Sequence, residues 1–229
     1  MGDRAEKRAQ RLIAAQREYY DLRAPDYMDL SKPSDRKSHG VMTSGEVQEV
    51  LAGLCISGDV LELACGSGTF TKELVHAASS LTALDGSPKM IEINGTVVGD
   101  PHVEYVCADV FAWKPPRQFD FVFFGFWLSH VPPTHFEAFW ATVTAALRPG
   151  ARCGFVDEDH RGRRNEVVLA SSEAVPTATR TLSDGRSFDI VKVFWDPAEL
   201  ERELAACRWN ASVRSFGDTF LVGKAVPAP

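Results

Sequence analysis

The residues best placed to do chemistry lie in Val60–Thr71, VLELACGSGTFT. Val60, Leu61 and Leu63 surround Glu62 as at the end of a buried strand, and Ala64, Cys65, Gly66, Ser67 and Gly68 follow as a run of small residues. From Thr69 onward, Phe70, Leu74, Val75 and Ala78 recur at helical spacing. Strand, glycine turn and helix form the opening unit of a nucleotide-binding α/β fold. Gly66 and Gly68 let the backbone turn sharply and lie against a ligand, where a Cβ would obstruct it. The N–H groups at the following helix start can hold an anionic group. Asp85 closes the next strand, which begins at Ser80, about twenty residues on, where a carboxylate can accept the hydroxyl hydrogen bonds of a ribose. Gly86, Ser87 and Pro88 then open a helix carrying Met90 and Ile91. A third acid, Asp109, follows the strand Val103–Cys107 and precedes the apolar Val110 and Phe111.

These strand ends need a parallel sheet to hold them in register. Phe119–Trp127, FDFVFFGFW, is almost continuously apolar, as a strand buried on both faces must be. Its carboxyl end, with Phe126 and then His130, faces the ligand crevice of such a sheet. Thr134–Leu147 reads as a helix closed by Arg148-Pro149-Gly150, and Ala151–Val156 as the fifth strand, followed by a charged loop, Asp157–Asn165. The cluster Arg161, Arg163 and Arg164 reads as a solvated face. Ahead of the sheet, Asp3–Leu22 is an amphipathic helix, Ser31–His39 a polar connection, and Thr43 and Glu46 a helix start. Behind it, Thr177–Leu182 and Ser187–Trp195 flank Asp184-Gly185 as a β-hairpin. A helix from Asp196-Pro197 to Cys207 and the strands Ala211–Phe216 and Thr219–Val226 complete the chain. The expected fold is α/β: a seven-stranded, mostly parallel sheet with an antiparallel final strand, an added hairpin and an N-terminal helical lid. One domain spans residues 1–229, with the lid at 1–42, a cofactor-binding core at 43–158, the acceptor-side hairpin at 174–196 and the closing elements at 197–229.

The third glycine of a dinucleotide fingerprint is replaced by Thr71, and Glu62 precedes Gly66 by four residues. This E-x-x-x-G-x-G pattern resembles motif I of the class I S-adenosylmethionine (SAM) dependent methyltransferases. The resemblance implies a Rossmann-like fold and SAM as cofactor, with S-adenosylhomocysteine (SAH) as product. It assigns cofactor contacts to Glu62, Ala64, Gly66, Gly68, Asp85, Gly86, Ser87, Met90 and Phe126. It sets Asp109 against the adenine amino group and Val110 and Phe111 against the ring. The stretch Tyr19–Tyr27 resembles the lid that closes over the methionine end of SAM, with Tyr20 and Arg23 the first candidates for contact. The alternative is a helix end that packs its tyrosines on the core.

From about Gly58 to Phe220 the chain also resembles the phosphonate O-methyltransferases of dehydrophos biosynthesis, above all in RTLSDGRSFDIVKVF, Arg180–Phe194. The resemblance implies that Arg180 and Lys192 hold the phosphonate of the acceptor. The residues raise the same question independently. On the strand face Phe188, Ile190, Lys192, Phe194 a cation is costly unless it meets an anion or reaches water. A two-residue loop, Asp184-Gly185, pairs Arg180 with Asp189 and puts the two cations on opposite faces. A three-residue loop, Asp184-Gly185-Arg186, pairs Arg180 with Ile190 and puts them on one.

Three functions fit. The first is methyl transfer to an anionic phosphonate or carboxylate oxygen in bacterial natural-product metabolism, which needs no general base. The second is methylation of a phenol or amine, for which His130 is the base. The third is an NAD-dependent oxidoreductase or a cofactor-binding domain without catalysis. The net charge of −6 gives no global reason to bind nucleic acid or an anionic membrane. Five cysteines at no metal-like spacing point to reduced thiols, a cytoplasmic setting and no metal. Cys65 reads as a small turn residue rather than a nucleophile. No signal peptide, transmembrane run or repeat is expected, and the state is monomer or homodimer.

Overall fold

A computed structural model describes residues 2–28, 42–165, 168–169 and 175–229. The helices are α1 (Gly2–Met28), α2 (Ser44–Leu54), α3 (Thr71–Ala77), α4 (Pro88–Val98), α5 (Phe136–Ala146) and α6 (Pro197–Ala206). The strands are β1 (Asp59–Leu63), β2 (Ser80–Asp85), β3 (Val103–Cys107), β4 (Phe119–Gly125), β5 (Leu147–Glu158), β6 (Val168–Leu169), β7 (Thr177–Thr181), β8 (Ser187–Val191), β9 (Trp209–Phe216) and β10 (Phe220–Pro227). Seven strands form one sheet in the order β3-β2-β1-β4-β5-β10-β9, and β6-β7-β8 form a second. In the large sheet β1 to β5 run parallel, and β10 is antiparallel to both β5 and β9.

The apolar run of β4 is explained by two cores. Val122 and Phe124 face Phe139 and Trp140 of α5, whereas Phe121 and Phe123 pack with Val47, Val50 and Leu54 of α2 and Leu74 of α3. Both faces of the sheet are covered, so the strand cannot alternate apolar with polar. Helix α2 starts where expected, on a capping box in which Thr43 accepts from the Glu46 N–H while the Glu46 carboxylate accepts from the Thr43 N–H.

Several boundaries differ from those read in the sequence. Helix α1 continues past Leu22 to Met28 and carries Pro25 inside its last turn. There the lost N–H costs one terminal bond rather than a helix, and Ala24 is fully buried beside it. Strand β4 stops at Gly125 because Phe126 turns the chain at φ 55°, and a 3-10 turn, Leu128–His130, follows. Helix α5 ends at Ala146 and β5 begins at Leu147, with its pairing to β4 interrupted between Phe119 and Phe121 around Pro149 and Gly150 (φ 80°). Asp157 and Glu158, expected in a charged loop, are the last two residues of β5 and are buried. Strand β8 ends at Val191 rather than Trp195, and β9 opens at Trp209, two residues earlier than Ala211. Arg161 is tied to the buried Asp159 and to the Gly217 carbonyl while its side chain stays 37% exposed. The side chains of Arg163 and Arg164, that of Tyr27 and the connection Ser31–His39 lie outside the described residues.

Candidate active site

A cleft of about 630 Å³ opens above the carboxyl ends of β1, β2 and β4. Its floor is the turn after β1. Ala64 (φ 53°), Gly66 (φ 52°) and Gly68 (φ 94°) all take left-handed backbone. For a non-glycine residue such as Ala64 that conformation is held only when its surroundings impose it. They do so here: the Cys65 N–H bonds the Leu84 carbonyl at 2.9 Å, and the Asp85 carboxylate accepts from the Gly66 N–H at 2.9 Å and the Ser87 N–H at 2.8 Å. Burial pushes the Asp85 carboxyl up, and its backbone donors pull it back. Asn94 clamps the same turn from below, donating to the Cys65 and Gly66 carbonyls and to Thr71 Oγ1 while accepting from the Tyr105 hydroxyl. Sequence reading missed Asn94. The available signal was a polar residue one helical turn beyond Met90, on the inner face of α4.

Glu62 does not line the cleft. It is fully buried beneath the turn with Thr71 as its partner, and burial pushes its pKa to about 8. Its Oε2 has no hydrogen-bond partner among the described residues, which fits a protonated carboxyl better than an ion. Cys65 is buried and its thiol is driven well up by desolvation, so it is no nucleophile at neutral pH.

The other assigned residues do reach the cleft: Gly86, Ser87, Met90, Asp109, Val110, Phe111 and Phe126 all line it. Asp109 is held by the Phe111 N–H at 3.0 Å, and Phe111 packs on Trp127 at 5.5 Å, leaving an apolar slot beside an acid. Helix α1 forms the roof. Ile13, Arg17, Tyr20 and Arg23 recur on the face that lines the cleft. Arg17 pairs with Asp109 at 3.7 Å, and Asp21 accepts from Ser87 Oγ at 2.9 Å and pairs with Lys89 at 3.0 Å. Ile13, Gln16 and Arg17 were not anticipated, because helical period alone does not say which face of an amphipathic helix meets a ligand.

The far end of the cleft belongs to the hairpin. Arg180 pairs with Phe188 and Thr181 with Ser187. Neither register weighed from the sequence occurs. The Leu182 N–H bonds the Arg186 carbonyl and the Gly185 N–H (φ 90°) bonds the Leu182 carbonyl, so the three loop residues are Ser183, Asp184 and Gly185. The shift of two residues keeps the parity, and Arg180 and Lys192 share one face, both buried and both lining the cleft. Lys192 Nζ lies 2.8 Å from Glu158 Oε2 and 3.2 Å from Ser129 Oγ. Asp157 accepts from the Ser129 N–H at 2.9 Å; its own carboxyl is pushed up by burial and drawn down by Lys192.

His130 is buried beside this end. Its Nδ1 lies 2.8 Å from the Val191 carbonyl, which can only accept, so Nδ1 carries the proton. Nε2 lies 2.9 Å from the Tyr20 hydroxyl and, in the neutral ring, accepts from it. Arg23 donates to the Tyr19 hydroxyl at 2.9 Å.

The architecture suits an adenosine cofactor. A Cβ on Gly66 would meet nothing within 4 Å, so the turn faces open space. An acid closes each of two strands, and an apolar slot lies beside the second. A SAM-dependent methyltransferase is the class that this sheet order and site define, and residues 60–150 match the family described as a methyltransferase domain. The chain is 41% identical to DhpI in a complex with SAH, covering 95% of this chain and 98% of that one, with a TM-score of 0.79. It is 43% identical to DhpI in a complex with SAM and HEP, covering 94% and 98%, with a TM-score of 0.81. A SAM-dependent methyltransferase from Clostridium acetobutylicum ATCC 824 shares the fold at 13% identity, 89% and 99% coverage and a TM-score of 0.68. No curated protein sequence matches the chain.

The chain therefore belongs to the class I SAM-dependent methyltransferases, in the group that contains DhpI. It is an enzyme and its cofactor is SAM, which sets aside the NAD and non-catalytic readings. Among the described residues no helix is long and apolar enough to cross a membrane.

Proposed function

We propose that the enzyme methylates an anionic oxygen, a phosphonate or carboxylate, on a small acceptor. The observation that carries this reading is the pair Arg180 and Lys192, two buried cations on one hairpin face at the end of the cofactor cleft. Buried cations at a cavity wall favour an anionic occupant. The resemblance to DhpI, which is seen in complex with SAM and HEP, points the same way.

When bound, SAM would supply an activated methyl group on a sulfonium, which the acceptor oxygen would take as the C–S bond breaks and its electron pair returns to sulfur. An ionised oxygen gives up no proton in this step. The protein's work is then to position two reactants and exclude water. Asp85, Asp109 and the glycine turn would hold the cofactor; Arg180 would orient the acceptor through its fork of donors and Lys192 through a single N–H. Helix α1 covers the cleft with Tyr20 and Arg23.

A second reading keeps His130. Its basic Nε2 faces the Tyr20 hydroxyl at the cleft wall, and this couple could take a proton from a phenol or amine. Methyl incorporation into alkylphosphonates, carboxylates, phenols and amines, with wild type and His130→Ala, tests both. Phosphonate or carboxylate turnover that survives His130→Ala with an unchanged pH profile is expected. Turnover confined to phenols or amines, with the basic limb lost in His130→Ala, would overturn the anionic reading.

A further inference from the structure

The cation at the acceptor end does not stand alone. Glu158 closes β5 with its carboxylate 2.8 Å from Lys192 Nζ, and the two side chains are 10% and 4% exposed. Both line the cleft. Ser129 Oγ takes a second Lys192 N–H at 3.2 Å. Ser129 is itself held on both sides, its N–H by Asp157 at 2.9 Å and its carbonyl by the Val193 N–H at 2.8 Å. The ammonium is thus held between Glu158 and Ser129, with the Phe194 ring 5.2 Å away. An acid also stands at the wall where the acceptor's charge must sit. A site built only to bind anions as tightly as possible would have no carboxylate there, because like charges in a partly desolvated cleft repel by several-fold more than in water.

We propose that Glu158 is a specificity-determining residue: its negative charge beside Lys192 favours acceptors bearing a single negative charge, such as a carboxylate or a phosphonate monoanion, over dianions. The inference rests on the anionic-acceptor reading above. Its physical content is a charge law. Coulomb energy is linear in the ligand's charge, so removing the Glu158 charge helps a dianion twice as much, in free energy, as a monoanion. Whatever factor a monoanion gains, a dianion of the same shape gains that factor squared.

The probes are methanesulfonate and sulfate, tetrahedral anions of similar size that carry one and two charges throughout the neutral pH range. Their affinities for the SAH-loaded enzyme are measured by calorimetry in wild type, Glu158→Gln, Glu158→Asp and Arg180→Met. In Glu158→Gln, methanesulfonate should tighten by about fivefold and sulfate by about twenty-five-fold. Glu158→Asp keeps the charge and should keep the wild-type ratio of the two. Equal changes for both anions in Glu158→Gln, or weaker binding of both, would show that Glu158 merely props Lys192 in place and would overturn the inference. Anion binding absent from wild type, or undiminished in Arg180→Met, would instead remove the anionic end itself, and the proposed acceptor class with it.

Discussion

Lys192→Met separates what the buried ion pair does for folding from what it does for the acceptor. The substitution keeps the apolar stem and deletes an ammonium that lies 2.8 Å from Glu158 and 3.2 Å from Ser129, in side chains 4% and 10% exposed. Breaking a buried pair by removing one partner leaves an uncompensated charge and costs about 3–5 kcal/mol. The surroundings sharpen this cost, because Asp157 is also buried behind Ser129 and loses the same nearby cation. About 3 kcal/mol is the expected drop in unfolding free energy at neutral pH. Adding Glu158→Gln removes the stranded charge, and the double variant should recover most of that stability, since replacing both members of a buried pair is often close to neutral. It should recover no activity: loss of a charge-assisted hydrogen bond to the acceptor predicts about a ten- to hundred-fold fall in kcat/KM in both variants. The assay is urea unfolding in parallel with acceptor kinetics, with SAM affinity by calorimetry as the control that the cofactor end is intact. A loss of stability below about 1 kcal/mol in the single variant would refute the buried-pair argument. Wild-type kcat/KM in the double variant would refute the role given to Lys192 at the acceptor.

Three further outcomes follow from the cofactor end. Gly66→Val places a branched side chain at φ 52° into the open space of the cleft, so SAM binding should vanish from a protein that still folds; full activity would show that the turn does not approach the cofactor. Asp85→Ala should weaken SAM by about 1–3 kcal/mol, through the lost acceptor and through release of the Gly66 and Ser87 N–H groups it anchors; unchanged calorimetric affinity would displace the ribose from this acid. Glu62→Gln should reverse a pH effect. The folded-state pKa of about 8 is raised from an ordinary 4.5, so the stability this group contributes is fully present below about pH 4.5 and lost as pH rises through 8. The glutamine variant should therefore match wild type near pH 5 and exceed it by a few kcal/mol near pH 9; a difference in urea midpoint that stays flat across that range would contradict a neutral buried carboxyl.

What the chain's order of residues determined by itself is the cofactor half of the molecule. Buried parallel strands read as unbroken apolar runs, the glycine turn must follow its strand at once, and the acids at strand ends fall at spacings set by one βαβ unit each; all these signals are local, so Asp85, Asp109 and the Gly66–Gly68 turn were legible. The hairpin end of the cleft was decided by tertiary structure. Whether Arg180 and Lys192 share a face turned on a register one residue from the first expectation and two from the second, fixed by the bonds between Leu182, Gly185 and Arg186 rather than by the Asp184-Gly185 signal. Glu158 read as a loop charge because nothing in Asp157–Asn165 announces that its first two acids finish a buried strand; their burial comes from the packing of β10, β8 and the Leu128–His130 turn around them. Likewise His130 was visible as a strand-end histidine, but the proton on its Nδ1 is set by the Val191 carbonyl, 61 residues on in the chain. A contact between elements so far apart depends on how the sheet, the hairpin and α1 pack together, which no window of sequence contains.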